Sequence, residues 1–284
     1  MRDDFAIFIL SHGRANNVKT VATIQRENYT GRWYIICDDE DEQIDSYKVN
    51  FGEEHIIIFN REKYVNLTDT FDNFDNRNSI VFARNACFDI AKDLGLNYFW
   101  ELEDDYNIFR SRFFDGVQLS SYEVMDLDSI IDIAIEFLDE SNALTIAFSQ
   151  TGDLIGGFNS SMFRDRVTRK AMNTFFCKVS KPFKFIGRMN DDVNIYTSLG
   201  SQGELFFTLA DITLEQCDTQ KNKGGNTDMY IKFGTYIKSF YSVMVCPSSV
   251  KICDMGQTNR RIHHLVDWER TVPKIISDRF KVKE

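Results

Sequence analysis

The chain has 284 residues, with 33 Lys and Arg against 43 Asp and Glu and a formal net charge of -10. Its 43% apolar and 27% charged residues belong to a folded protein with a sizeable core, which excludes a disordered chain. No run approaches the ~18 apolar residues of a membrane span, and the acidity argues against a protein that coats nucleic acid without specificity, while leaving room for a local basic groove. The length suits one large domain or two tightly joined lobes.

The apolar stretch at the N-terminus is too short, and too acidic in front, for a secretory leader. No two of the six cysteines are separated by only two residues, which excludes a zinc knuckle or a thioredoxin-like motif. Together these features predict reduced thiols in a cytoplasmic protein. Cys37 and Cys87 lie inside apolar runs and read as core.

Phe5–Leu10 (FAIFIL) is a continuous apolar run, the mark of a strand buried on both faces, and Ser11-His12-Gly13-Arg14 breaks it. Asn17 to Arg26 has helical spacing. Trp33–Cys37 (WYIIC) reads as a second strand, cut off by the acids Asp38 to Glu42, and His55–Phe59 as a third. Thr68 to Asn78 is polar and predicts a loop. Ile80 to Leu94 repeats its apolar residues every three to four positions, a helix that Gly95 would end. Tyr98–Leu102 is a fourth strand running straight into Glu103-Asp104-Asp105. A helix is expected over Ser129 to Leu138 and strands over Leu144–Phe148, Leu205–Leu209 and Tyr241–Cys246, with Gly-containing polar loops at 151–161 and 216–228. This alternation predicts an α/β fold with a mostly parallel sheet flanked by helices, whose ligands bind outside the carboxyl ends of the strands. We read 1–284 as a single domain, with a nucleotide-binding half at 1–150 and a less regular acceptor half at 151–284.

Polar residues at those strand ends are therefore the candidates for chemistry. Glu103, Asp104 and Asp105 repel one another at neutral pH unless a divalent cation offsets them, and hard oxygen ligands suit Mn²⁺ or Mg²⁺; a solvated acidic turn is the alternative. Asp38 or Asp39 can accept from a ribose hydroxyl or a base edge, or can belong to a solvated loop. Ser11 and Arg14 follow the first strand, and an Arg there can clamp a phosphate. Arg84, on an otherwise apolar helix, either reaches the sheet edge or lies on the surface. Asp191 and Asp192 are separate carboxylates suited to a general base or to a helix N-terminus. Of His263 and His264, one could complete a metal shell. Between Met162 and Arg188 lie eight cations, Arg164, Arg166, Arg169, Lys170, Lys178, Lys181, Lys184 and Arg188, against Asp165 alone, with phenylalanines interleaved. That strip suits contact with DNA phosphates and stacking or wedging between bases, or else is a basic helix with core-facing Phe.

In this order, FAIFILSHGRA, WYIICDD, VFARNACFDIA, YFWELEDD, IGGFN and GRMNDDVNIY resemble the nucleotide-sugar-dependent glycosyltransferases of the GT-A type over roughly residues 5 to 200. The resemblance implies a Rossmann-like GT-A fold. Asp38 or Asp39 would hold the base or ribose of a UDP-sugar, and Arg84 would support the donor. Glu103, Asp104 and Asp105 would bind a divalent metal and the diphosphate. Asp191 or Asp192 would deprotonate the acceptor in an inverting reaction, and His263 or His264 would ligate the metal. The E-D-D sequence departs from the commoner D-x-D, so either Glu103 with Asp105 or Asp104 with Asp105 would be the working pair. The SHGRA start, the Gly-containing segment before Asp228-Met229-Tyr230 and the small size are similar to the bacteriophage TET-associated glycosyltransferases, which place sugars on hydroxymethylated pyrimidines in DNA. That similarity implies glucose or arabinose transfer to 5-hydroxymethylcytosine in double-stranded DNA. A GT-A enzyme acting on a surface glycan or protein, a nucleotidyltransferase and an inactive binding module are the competing readings.

Overall fold

All six residues of β1 (Phe5–Leu10) are buried because helices cover both faces of the sheet they form. In this computed structural model the described residues are 1–150, 174–216, 227–255 and 260–271. Strand β1 pairs in parallel with β2 (Arg32–Asp38) on one side and β4 (Tyr98–Glu103) on the other, and β2 pairs in parallel with β3 (Ile56–Phe59). Beyond β4 the sheet takes in β5 (Tyr106–Phe114), β6 (Leu119–Glu123), β7 (Thr145–Gln150), β8 (Phe175–Lys178) and β9 (Phe206–Gln216), in the order β3-β2-β1-β4-β8-β7-β9-β5-β6. The first four strands in that order are parallel throughout. Strand β8 runs antiparallel to both β4 and β7, β7 and β9 are parallel, and β5 is antiparallel to β9 and to β6. The expected α/β class is thus met. Strands from beyond residue 150 sit inside the same sheet.

The two faces of β1 explain its sequence. Phe5, Ile7 and Ile9 point to a core closed by α1 (Lys19–Arg26) and α5 (Leu127–Glu140), through Val21, Ile24, Ile131 and Ile135. Ala6, Phe8 and Leu10 point to a second core under α4 (Ile80–Asp93), through Val81, Cys87 and Ala91. Helices α2 (Ile44–Phe51) and α3 (Arg61–Leu67) complete the N-terminal half. The remainder adds α6 (Asp191–Ser201), α7 (Thr227–Phe233), α8 (Ile237–Val245), a hairpin of β10 (Val250–Met255) with β11 (Arg261–Val266), and α9 (Trp268–Thr271). Small apolar clusters, such as Val193 and Tyr196 with Cys246, Val250 and Val266, pack this part on α6. No helix among the described residues is long and apolar enough to cross a membrane.

Two sequence expectations need correcting. Tyr241–Cys246 is not a strand: Tyr241–Val245 is the end of α8, a short apolar run that periodicity alone does not separate from a buried strand. Leu205–Leu209 covers only the start of the longer β9. The β5–β6 hairpin went unread in the sequence although it carries a turn signal, Asp115-Gly116. Gly116 adopts φ 98, and the Asp115 carboxylate accepts from the backbone N–H groups of Val117 and Gln118.

Glu27, at the end of α1, is fully buried beneath β5, where Oε1 accepts the Phe109 N–H at 2.8 Å and Oε2 has no hydrogen-bond partner among the described residues. Burial pushes its carboxyl from 4.5 to about 7. The folded state therefore holds this proton more tightly than the unfolded one, and stability is lost as pH rises from 4.5 through 7. Glu27→Gln keeps the bond to Phe109 and removes the ionisation. The variant is expected to match the parent in urea midpoint at pH 5 and to exceed it at pH 8; equal midpoints at both would refute this account.

Candidate active site

The register of the parallel strands brings the candidate residues to one rim. Leu10 is opposite Ile36 of β2 and Glu103 of β4, so Ser11, Asp38 and Asp104 emerge side by side where these strands end. Two clusters form there. In the first, the buried Asp104 accepts from Ser11 Oγ at 2.7 Å on one oxygen and from Arg14 Nη1 at 2.7 Å on the other. Tyr47 of α2 braces both partners, with its hydroxyl 2.8 Å from Ser11 Oγ and accepting the Arg14 N–H. Burial raises the Asp104 carboxyl in spite of Arg14 and Ser11. Burial and then repulsion from Asp104 raise Asp105, against a hydrogen bond from Gln216.

The second cluster surrounds Asp38. Its Oδ2 lies 2.8 Å from His12 Nδ1 and accepts from Arg61 Nη2 at 2.7 Å. Burial opposes the charge, but His12 and Arg61 hold Asp38 below the usual carboxylate range. Asp39 accepts from Asn60 Nδ2 and from the Arg61 N–H, and Asp41 accepts from the Gly13 N–H at 2.7 Å. Gly13 has φ 67, a conformation that lets the turn after β1 present this N–H. The acidic run is therefore solvated only in part: Asp39, Glu40 and Glu42 are exposed, whereas Asp38 and Asp41 are 3% and 4% exposed and help to knit β1, β2 and α3 together.

Arg84 joins this rim to the second half of the chain. It is 1% exposed, so the surface alternative is excluded. Nη1 donates to Glu101 at 3.2 Å, Nη2 donates to Glu103 at 3.1 Å, and Nε stands 2.7 Å from Asp191 Oδ2. The guanidinium also lies over the rings of Phe175 and Phe185. Glu103 accepts on its other oxygen from Gln216 at 2.9 Å. Burial drives the Glu101 carboxyl up to about 8 and that of Asp191 up to about 6, in both cases against the pull of Arg84. Arg84 thus contacts acids from β4 and from the start of α6. Asp192, half-buried beside Asp191, accepts no hydrogen bond among the described residues.

Other expectations fare differently. His263 and His264 do not join Glu103 and Asp105: among the described residues no group of three or more His, Cys, Asp or Glu comes together to hold a metal. His263 Nδ1 is 2.9 Å from the backbone oxygen of His264, and His264 Nδ1 is 3.2 Å from the Asn190 amide. The basic strip is also divided. Lys178 is buried in β8 and paired with Asp139 at 2.6 Å. Arg188 is buried in a two-pronged pair with Asp72 and donates to the carbonyls of Asn76 and Phe74. Neither presents its charge to a polyanion. Phe175, Phe176 and Phe185 are core residues, which removes them as stacking or wedging groups. Lys181 donates to the Asn142 carbonyl, and Lys184 is exposed. Arg164, Arg166, Arg169 and Lys170 lie outside the described residues. Sequence reasoning missed Arg61, Tyr47, Gln216 and Asn190. Arg61 carried a signal, since it follows directly on β3 at the same rim.

Comparison with known proteins bears on this rim. A family model described as TET-associated glycosyltransferase matches residues 5–225, which include both clusters, Arg84 and the two acids of α6. The chain belongs to this family. The strand-end clusters are the candidate site for the chemistry that the family's description names. No curated protein matches it. Among solved structures it is similar to residues 1–349 of S. aureus TarS, with 11% identity over 84% of this chain and 65% of that one and a TM-score of 0.45. It is similar also to glucosyl-3-phosphoglycerate synthase from Mycobacterium tuberculosis in complex with Mn²⁺, UDP and phosphoglyceric acid, with 7% identity over 92% and 86% of the two chains and a TM-score of 0.45. The chain spans 39% of the length of the longer S. aureus TarS structure.

Arg84 makes a stability test possible. Arg84→Met fills similar space but leaves Glu101, Glu103 and Asp191 without their cation. Removing one partner from a buried ion pair costs about 3–5 kcal/mol. Urea unfolding of this family member is expected to show a loss of that size at pH 8 and a smaller one at pH 5, where Glu101 and Asp191 are more readily protonated.

Proposed function

We propose that the chain transfers a sugar, glucose or arabinose, from a UDP-sugar to the hydroxymethyl group of 5-hydroxymethylcytosine in phage DNA, in the host cytoplasm, with inversion at the anomeric carbon. The observation that carries the reading is the family match across the strand-end clusters and the acids of α6. Asp38, oriented by His12 and Arg61, is the group for the nucleoside. Arg14, braced by Asp104 and Tyr47, lies beside it at the end of β1 and suits the diphosphate.

The residues at the end of β4 fit a divalent cation. Glu101, Glu103, Asp104, Asp105 and Asp191 outnumber the guanidiniums of Arg14 and Arg84 among them. Asp104 suits the ligand role less than Glu103: each carboxylate has a hydrogen bond on both oxygens, but the Asp104 side chain is 2% exposed and that of Glu103 24%. Glu103 and Asp105 are the residues that would hold Mn²⁺ or Mg²⁺, ions commonly bound by one or two carboxylates together with substrate phosphates. When bound, such an ion neutralises charge developing on the leaving diphosphate.

The protein's own part is positioning and proton transfer. Asp191 is committed to Arg84, whereas Asp192 accepts no hydrogen bond among the described residues, so Asp192 is assigned as the base. It takes the hydroxymethyl proton as that oxygen bonds to the anomeric carbon and the bond to UDP breaks. Arg84 holds Asp191, and with it the start of α6, against the acids of β4. A base inside a duplex must leave the stack to reach such a site. The family and the cations at 164–170 favour DNA over a glycan or protein acceptor.

Incubation of hydroxymethylated duplex DNA with the protein, a panel of UDP-sugars and Mn²⁺ is expected to add one sugar mass per modified base by mass spectrometry. Transfer to a glycan or protein instead, with no gain on DNA, refutes the acceptor. Asp192→Asn should lower kcat by a factor of about 10²–10⁴, the usual worth of a general base, with the donor KM little changed. Near-parent turnover in that variant would remove Asp192 from the mechanism.

A further inference from the structure

The residue before the two acids of α6 adopts an unusual conformation. Asn190 lies in the left-handed region, φ 53 and ψ 36, which Asn tolerates better than most side chains. It occupies the N-cap position yet does not cap its own helix. Its amide turns outward instead: Nδ2 is 3.0 Å from the Lys238 carbonyl and 3.1 Å from Ser242 Oγ, both on α8, and 3.2 Å from His264 Nδ1 on β11. A carbonyl only accepts, so the Lys238 contact fixes which end of the amide carries the hydrogens. Of the two hydrogens on Nδ2, one serves Lys238 and the other is shared between Ser242 Oγ and His264 Nδ1, both within reach as acceptors.

We propose that Asn190 and His264 form a latch through which the C-terminal hairpin positions Asp192. The start of α6 is held on one side by Arg84, through Asp191. On the other side the latch ties the adjoining residue to α8 and to β11. His264 thereby acts through a hydrogen bond to Asn190 and not as a metal ligand; both are positioning residues. The catalytic consequence rests on the assignment of Asp192 as base, whereas the latch itself does not.

His264→Ala, His264→Gln and Asn190→Gly test it, with backbone amide exchange and steady-state kinetics as readouts. Gln can accept from Asn190, and Gly keeps the left-handed backbone while losing the amide. In His264→Ala, amides of Val193 to Ile195 should exchange roughly ten-fold faster while those of β1 and β4 stay unchanged. The same variant should lose about ten-fold or more in kcat, with donor KM and the Mn²⁺ concentration for half-maximal rate within about two-fold of the parent. His264→Gln should restore most of both, and adding His264→Ala to Asn190→Gly should cost little more than the worse single change. Unmoved exchange and kcat in His264→Ala overturn the latch. So does a raised Mn²⁺ requirement, which would make His264 a metal ligand. Loss of protection throughout the molecule that Gln fails to rescue also overturns it, since His264 would then be a general packing contact. Should the parent protein transfer no sugar to hydroxymethylated DNA, the acceptor reading fails while the exchange data still decide the latch.

Discussion

The site depends on one buried cation. Arg84 is planar, permanently charged and almost fully enclosed, and its three nitrogens meet three carboxylates drawn from two elements. Without it, burial would hold Glu101 protonated, and Asp191 would lose the cation it faces. With it, the end of β4 and the beginning of α6 become one electrostatic unit. Negative charge still exceeds positive there, which is the condition under which a divalent ion is attracted rather than tolerated.

The same logic organises the ends of β1 and β2 at smaller scale. Each strand-end acid is assigned to a specific donor: Asp104 to Ser11 and Arg14, Asp38 to His12 and Arg61, Asp39 to Asn60 and the Arg61 backbone, Asp41 to the Gly13 backbone. A rim so cross-braced keeps its shape before any substrate arrives, and a preorganised site spends less binding energy on ordering itself.

Much of this was legible in the residues themselves. FAIFIL and WYIIC read as strands because burial on both faces demands unbroken apolar sequence, and Ile80 to Leu94 read as a helix because its repeat is long. The acids after β2 and β4 stood out because charge directly following a buried strand has to be placed deliberately. What was not legible needed the third dimension. Lys178 and Arg188 looked like part of a basic surface, since composition counts charges without showing that Asp139 and Asp72, distant in sequence, cancel them. Gln216 became visible only once β9 had been placed, whereas Arg61 stands just past a strand that the sequence did show. Tyr241–Val245 was ambiguous by nature, because so short a run, apolar but for Ser242, satisfies either period.

The strand order has a consequence for how the molecule is made. Strand β4 lies next to β8, and β7 lies between β8 and β9, so no strand available before residue 175 can close the edge of β4. During synthesis the emerging N-terminal portion presents an apolar, unpaired strand margin, the kind of edge that recruits other chains. Asp191, which Arg84 also requires, is translated later still. The interval between these events, at ordinary elongation rates a matter of seconds, is when the nascent chain is most vulnerable to self-association. Completion of the strand-end rim and protection of the sheet are therefore finished by the same stretch of polypeptide.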